Sequence, residues 1–474
     1  MISLRAVKLH RTHLRLRMPF RYGIATLTEL PHVILAFTFE IDGRVATGVA
    51  ADHLPPKWFT KDPVRAPKDE IEDMLEVIRA AVDHAFGVKA ATVFEFWREL
   101  YAAQAVWAAE EKIAPLLAQF GTSLVERGLI DAFGRMHGAG FAAGLRANIF
   151  GVDLGTLWPE LVGSAPRDWL PAVPAEAITV RHTVGLGDPL VDGDIPPEER
   201  LNDRLPQALD ACARVYGLRH FKLKINGEEP RDFERLARMA KIFAKECAGT
   251  DWRFSLDGNE SFREVGAFAD YARRLMAAPE LKTLWPRLLF IEQPWHREVA
   301  LSDAIGELAR AWPDRPPIII DESDAETGSL PAALALGYAG TSHKNCKGIF
   351  KGVANACRLA QRRAAGEPGM LSGEDLANVG PVAVLQDLAV QAALGVESVE
   401  RNGHHYFAGL AAWPTAVQDH VLKHHGDVYC RAVVAPHWPR MDVRMGEVRI
   451  GSLTRTPGLG AVPPPLDGLA AEEL

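Results

Sequence analysis

The spacing of apolar and polar residues divides the chain into stretches of different period. The first sixty residues alternate in twos, as strands do. VILAFTFEIDGRVATGVAA (33–51) holds two apolar-rich runs around Asp42-Gly43, which predicts a β-hairpin. Over the next hundred residues the period lengthens. KDEIEDMLEVIRAAVDHAFG, FEFWRELYAAQAVWAAEEKIAPLLAQFG and TSLVERGLIDAFGRMHG repeat apolar residues at helical spacing. Thr122 or Ser123 followed by Glu126 resembles a capping box. This region is expected to form an α+β unit.

A third rhythm begins near residue 178. Short β-branched runs recur, each followed by a helical stretch: ITVRHTVG, HFKLKING, RFSLDGN, LLFIEQP, PIIIDES, GTSHKNC, GMLSGED and VESVERN. Equivalent positions in successive runs lie 23 to 42 residues apart, room for a strand, a helix and two loops. Eight such units predict a (β/α)8 barrel, with a doubly wound open sheet as the alternative. Residues 431–474 return to strand-like and Pro/Gly-rich sequence. The expected fold is α/β: an α+β capping domain over 1–175, a (β/α)8-type (TIM-like) barrel over 176–430, and a segment over 431–474 that packs back on the cap.

Composition narrows the function classes. The chain has 474 residues, enough for two or three domains, and a net charge of −8. That balance argues against a nucleic-acid or anionic-membrane partner, while leaving anionic small substrates open. Five cysteines, none in CxxC spacing, argue for reduced thiols and against a Cys-based zinc site. The N-terminus has no signal-type apolar stretch, and no window approaches the ~18 apolar residues of a membrane span. The expected location is the cytoplasm.

In such barrels the active site sits at the C-terminal ends of the strands. Those ends carry charge here. Lys222 and Lys224 share one side of their strand, as do Asp257 and Asn259; Glu292, Asp321 with Glu322, and Lys344 end the following runs. Three carboxylates from successive strands, Asp257, Glu292 and Asp321, suit a hard divalent cation such as Mg²⁺, with Mn²⁺ as the alternative. Flanking lysines suit proton abstraction from carbon, because ammonium repulsion and a nearby cation lower a lysine pKa. Loss of the α-proton of a bound carboxylate would give an enediolate whose charge the metal stabilises.

KLK, LDGN, IEQP, IDES and a sixth-strand lysine, in this order and spacing, resemble the enolase superfamily, nearest to the muconate-lactonizing branch of its mandelate racemase/muconate lactonizing enzyme group. RMPFRYG and DGRVATGVA resemble the start of that family's cap, VERGLIDAFGRMHGAG its junction helix, and TPGLGA its C-terminal signature. The resemblance implies Mg²⁺ on Asp257, Glu292 and Asp321. It implies Lys224 and Lys344 as acid/base residues on opposite faces of the substrate, and Lys222 as the residue that tunes Lys224. Asn259 and Glu322 would lie just outside the metal's direct ligands, and residues 20–25 and 50–60 would be cap loops closing over the substrate. HKNCKGIFKG lacks the glycine pair usual after the sixth-strand lysine, so Lys347 competes with Lys344 for that role. The seventh strand has no histidine, unlike the mandelate-racemase pattern, and VESVERNGHH departs from the dipeptide epimerases.

Tyr22, Trp58, Glu374, Asp375 and His404 are candidates for substrate contact. His404 and His405, adjacent on a strand, would point to opposite faces and so could not easily share one ion. The expected activity is Mg-dependent α-proton abstraction from a small carboxylate. Racemisation or epimerisation, dehydration of an acid sugar, and cycloisomerisation are its possible outcomes, and a homo-oligomer is expected. A Schiff-base aldolase-like barrel on Lys344 and a non-catalytic binding protein are the alternatives.

Overall fold

The computed structural model describes residues 1–22, 25–432 and 437–474. Three strands open the chain, β1 (Ile2–Tyr22), β2 (Ala25–Ile41) and β3 (Arg44–His53). They pair antiparallel, with Ile41 opposite Arg44 across the expected turn. Asp42 and Gly43 take φ of 49° and 74°. Two successive positive φ values make the hairpin turn whose twist matches that of its strands.

Three helices cover one face of this sheet: α1 (Pro67–Gly87), α2 (Val93–Glu110) and α3 (Pro115–Met136). A Cβ on Gly48 of β3 would run into the Gly128 carbonyl of α3, so the two backbones touch only because glycine stands there. The sequence-based capping box at Thr122/Ser123 is corrected by the structure. Those residues lie inside α3, which runs unbroken from Pro115. The Glu126 carboxylate accepts instead from Ile349 N (2.8 Å) and Phe350 N (2.7 Å), at the start of the helix Ile349–Ala364. Tertiary packing brought it a different helix end to cap. A capping box does form at Thr92 and Glu95, ahead of α2.

All eight β-branched runs become parallel strands: β4 (Ala177–Val184), β5 (His220–Lys224), β6 (Arg253–Asp257), β7 (Leu288–Glu292), β8 (Ile318–Ile320), β9 (Gly340–His343), β10 (Met370–Gly373) and β11 (Ser398–Arg401). Each pairs with the next, and β11 returns to β4 with Arg401 opposite His182, which closes the barrel among the described residues. A hairpin of β12 (Tyr429–Arg431) and β13 (Pro439–Met441) follows. Then β14 (Glu447–Arg449) lies antiparallel on β4, and β15 (Ala471–Glu473) lies antiparallel on β1. The C-terminal segment therefore touches both the barrel and the cap sheet. Among the described residues no helix is long and apolar enough to cross a membrane.

Candidate active site

Alternation along each strand decides which side chains enter the barrel. On β5, Lys222 and Lys224 face inward, and both are buried. Lys222 donates to Glu292 Oε1 (2.8 Å), Glu374 Oε2 (3.0 Å) and Glu400 Oε2 (3.0 Å), and its ammonium lies 3.0 Å from Asp257 Oδ2. Lys224 pairs with the same Asp257 oxygen. Just past β9, Lys344 donates to Glu374 Oε2 (2.6 Å) and lies 3.2 Å from Asp321 Oδ2. β5 and β9 are four places apart in a ring of eight, so Lys224 and Lys344 come from opposite walls. Lys347 lies below: it donates to the Ser342 carbonyl (2.6 Å), to Ser342 Oγ (3.0 Å) and to Asp321 Oδ1 (3.1 Å).

Between these walls stand the carboxylates. Glu292, Asp321 and Glu374 each bring one oxygen within 4.8 Å of the other two, an oxygen donor set suited to a hard divalent ion. Glu292 Oε2, Glu322 Oε2 and Asn259 Oδ1 are buried oxygens with no hydrogen-bond partner. Unpartnered buried oxygens are costly unless a cation or water meets them, so the residues present fit Mg²⁺. Burial, with Asp257 and Glu374 adding repulsion, raises Glu292 well above the usual carboxylate range. Burial and the neighbouring Asp321 push Glu322 up to about 8.

Among the protein's own groups, attraction to carboxylates outweighs the lysine repulsion at two lysines. Burial pulls Lys222 and Lys344 downward, and Lys222 does repel Lys344. The carboxylates outweigh both effects. Asp257, Glu292, Glu374 and Glu400 hold Lys222 well above its ordinary pKa, and Asp321 and Glu374 do the same for Lys344.

The cap closes this site. A narrow cleft, partly open to solvent, is lined from the barrel by Lys222, Lys224, Asp257, Asn259, Asp321, Glu322, Lys344, Asp375, Glu400 and Asn402. Leu16, Phe20, Leu27, Leu30, Pro55 and Trp58 of the cap face them, with Leu376, Ala377 and Phe407 beside. The Lys344 ammonium lies 5.5 Å from the Trp58 ring centroid. Arg297, which opens the short helix Arg297–Ala300 after β7, donates to the Trp58 carbonyl (3.0 Å) and the Phe59 carbonyl (2.7 Å) while paired with Glu260, and so fixes that cap loop.

Several groups escaped the sequence reading. Arg181 of β4 donates to Glu374 Oε1 (3.0 Å) and Ser372 Oγ (2.7 Å). Glu400 accepts from Thr183 Oγ1 (2.6 Å). Gln293 of IEQP locks two strand ends together, accepting from Asp321 N (2.8 Å) and donating to Ser323 Oγ (2.7 Å). The available signal was a charged residue in mid-strand, at 181 and at 400, where a barrel interior is otherwise apolar. Asp375 pairs with Arg401, which also holds Asp387 at 2.7 Å. The side chain of Tyr22, and residues 23 and 24 of the anticipated cap loop, lie outside the described residues.

His404 is not among the described residues that line the cleft. It lies in a short helix, Gly403–Tyr406, which corrects the strand assumed for the histidine pair. Its Nε2 is 3.2 Å from His182 Nδ1.

A closed eight-stranded α/β barrel, a cap of antiparallel sheet and helices, and charged strand ends beneath that cap define the architecture. No protein-family model matches the sequence, and no curated protein matches it. Many solved structures match the fold. A dipeptide epimerase from Cytophaga hutchinsonii, complexed with Mg and D-Ala-L-Val, superposes with TM-score 0.60 at 14% identity, over 100% of this chain and 99% of that one. A mandelate racemase/muconate lactonizing protein from Herpetosiphon aurantiacus gives 0.58 at 16%, covering 97% and 98%. A mandelate racemase/muconate lactonizing enzyme from Bordetella bronchiseptica RB50 gives 0.57 at 18%, covering 98% and 97%. At these identities the likeness is one of fold, and it extends over the whole chain.

Proposed function

We propose that this chain is an enolase-superfamily enzyme that removes the α-proton of a small carboxylate with the help of Mg²⁺. The observation that carries this reading is the pair Lys224 and Lys344, set on opposite barrel walls with the carboxylates of β6, β7 and β8 between them. Glu292, Asp321 and Glu374 would hold the ion, with Asp257, the third ligand expected from the sequence, beside them and paired with Lys222 and Lys224. When bound, the ion supplies positive charge against the oxyanion that develops as the α-proton leaves.

The chain's own residues supply the proton chemistry. One lysine takes the α-proton from its face, and the other can return a proton to the opposite face, which inverts the centre. A base must be neutral. Lys344 is held as ammonium by Asp321 and Glu374, so it starts as the donor. Asp321 and Glu374 oxygens also belong to the metal donor set, so ion binding and lysine protonation compete for them.

The apolar side of the cleft, Leu16, Phe20, Leu27, Leu30, Leu376 and Phe407, supports a substrate whose distal part is apolar, and counts against a polyhydroxy acid sugar. Solvent deuterium exchange tests the reading: with Mg²⁺ in D₂O, α-amino or α-hydroxy carboxylates bearing apolar groups should exchange their α-hydrogen. Absence of exchange across such a panel, with the protein folded and Mg²⁺ bound, would sink it.

A further inference from the structure

Outside the cleft, a second cluster of ligand-type side chains sits where the barrel closes. Arg181 and Thr183 of β4 point into the barrel, so His182 between them points outward. It meets the helix Leu209–Tyr216, which carries Cys212. Directly after β11, the short helix Gly403–Tyr406 brings His404 and His405 to the same place. His182, Cys212 and His405 are all buried, and one donor atom from each lies within 4.8 Å of the other two. Cys212 Sγ is 3.6 Å from His405 Nδ1, and His182 Nδ1 is 3.2 Å from His404 Nε2.

The 3.6 Å between Cys212 Sγ and His405 Nδ1 is close to the spacing in a tetrahedral nitrogen–sulfur site. With metal–sulfur and metal–nitrogen bonds of about 2.3 and 2.0 Å, ligand atoms stand roughly 3.3–3.5 Å apart. The Arg17 guanidinium that donates to the His405 carbonyl is paired with Asp203.

We propose that Cys212, His182 and His405 bind one zinc ion that clamps the barrel seam between β4 and β11. On binding, the Cys212 thiol gives its proton to solvent and the imidazoles donate ring lone pairs. The three ligands are buried and lie outside the cleft, so the ion's role is structural. It would tie the first strand and its following helix to the segment that carries Asn402 and Phe407 into the cleft. Soft and borderline ligands here, and carboxylates in the barrel, sort Zn²⁺ from Mg²⁺ between the two places.

Cobalt substitution tests this. Metal-free protein, with Mg²⁺ in excess to fill the carboxylate cluster, is titrated with Co²⁺. One equivalent should produce a thiolate-to-cobalt charge-transfer band with the visible bands of tetrahedral cobalt, and Zn²⁺ should bleach both. Cys212→Ser should lose the charge-transfer band. Should that variant fail to fold, X-ray absorption of the wild-type zinc form should show one sulfur at about 2.3 Å with nitrogens at about 2.0 Å. No charge-transfer band in the wild type, a band that survives in folded Cys212→Ser, or a zinc shell without sulfur overturns the proposal.

Discussion

Lys344 donates to Glu374 Oε2 at 2.6 Å, and Glu374 belongs to the carboxylate group that fits a divalent ion. A residue just past β10 thus ties the proposed acid/base lysine to the proposed metal site. Burial works against the Lys344 ammonium, and Asp321 and Glu374 overcome it. Glu374→Gln should therefore let the Lys344 pKa fall, because one close opposite charge is lost. Lys344 works as the ammonium donor, so the falling limb of the pH–rate profile should move to lower pH. An unmoved limb would show that Glu374 does not set the lysine's protonation.

Opposed lysines make a stereochemical prediction. Lys224→Ala and Lys344→Ala should each lower racemisation or epimerisation by about 10²–10⁴-fold. Each variant should still exchange the α-hydrogen of one enantiomer, the one facing the remaining lysine, and the two variants should retain opposite enantiomers. NMR of each enantiomer in D₂O reads this directly. If both variants lose the same enantiomer, the two-face arrangement is wrong.

Metal dependence should itself depend on pH. Glu322 is pushed up to about 8 and Glu292 well above its usual range. A carboxylate raised in the folded state contributes stability that is full below its unfolded pKa and is lost as pH rises through the folded value. The metal-free protein should therefore lose stability as pH rises from about 4.5 toward 8 at Glu322. Mg²⁺ binds the ionised form, so the rise in Tm on adding it should be larger at pH 8 than at pH 5, and EDTA should abolish it. A pH-independent shift would contradict this.

Arg297 holds the carbonyls of Trp58 and Phe59 from the barrel side. Arg297→Ala should free the loop that carries Trp58 over Lys344. The expected result is a raised KM with a smaller change in kcat, since substrate closure is lost and the lysines stay in place. Steady-state kinetics separates the two.

Glu126 ties the cap to the barrel, because it caps the helix that follows Lys347 and Gly348. Glu126→Ala leaves two buried backbone donors unmet, and urea unfolding should show a loss of about 1–3 kcal/mol. Exchange activity should fall as well, because that helix start positions the Lys344–Gly348 turn.

Hydrophobic periodicity made the fold legible. Alternation in twos marked β1 to β3, and eight β-branched runs at barrel spacing became β4 to β11. A strand buried on both faces has little freedom to be polar, so a charge at its end is conspicuous: Lys222, Lys224, Asp257, Glu292, Asp321 and Lys344 were found that way. Glu126 shows where local reading stops. Its spacing from Thr122 is that of a capping box, yet the helix it caps begins 223 residues later.

Chain sequence alone thus determined the eight barrel strands, the cap ahead of the barrel, and the charged strand ends, because all three follow from local period and from the cost of burying charge. Tertiary structure alone decided who faces whom. Barrel closure set Arg181 and Glu400, from the first and last strands, against Glu374 and Lys222, and it gathered His182, Cys212 and His405 from three separate segments. Such partners share no sequence period. Their contact depends on strand order around the ring and on helix docking, which arise only when the whole barrel packs.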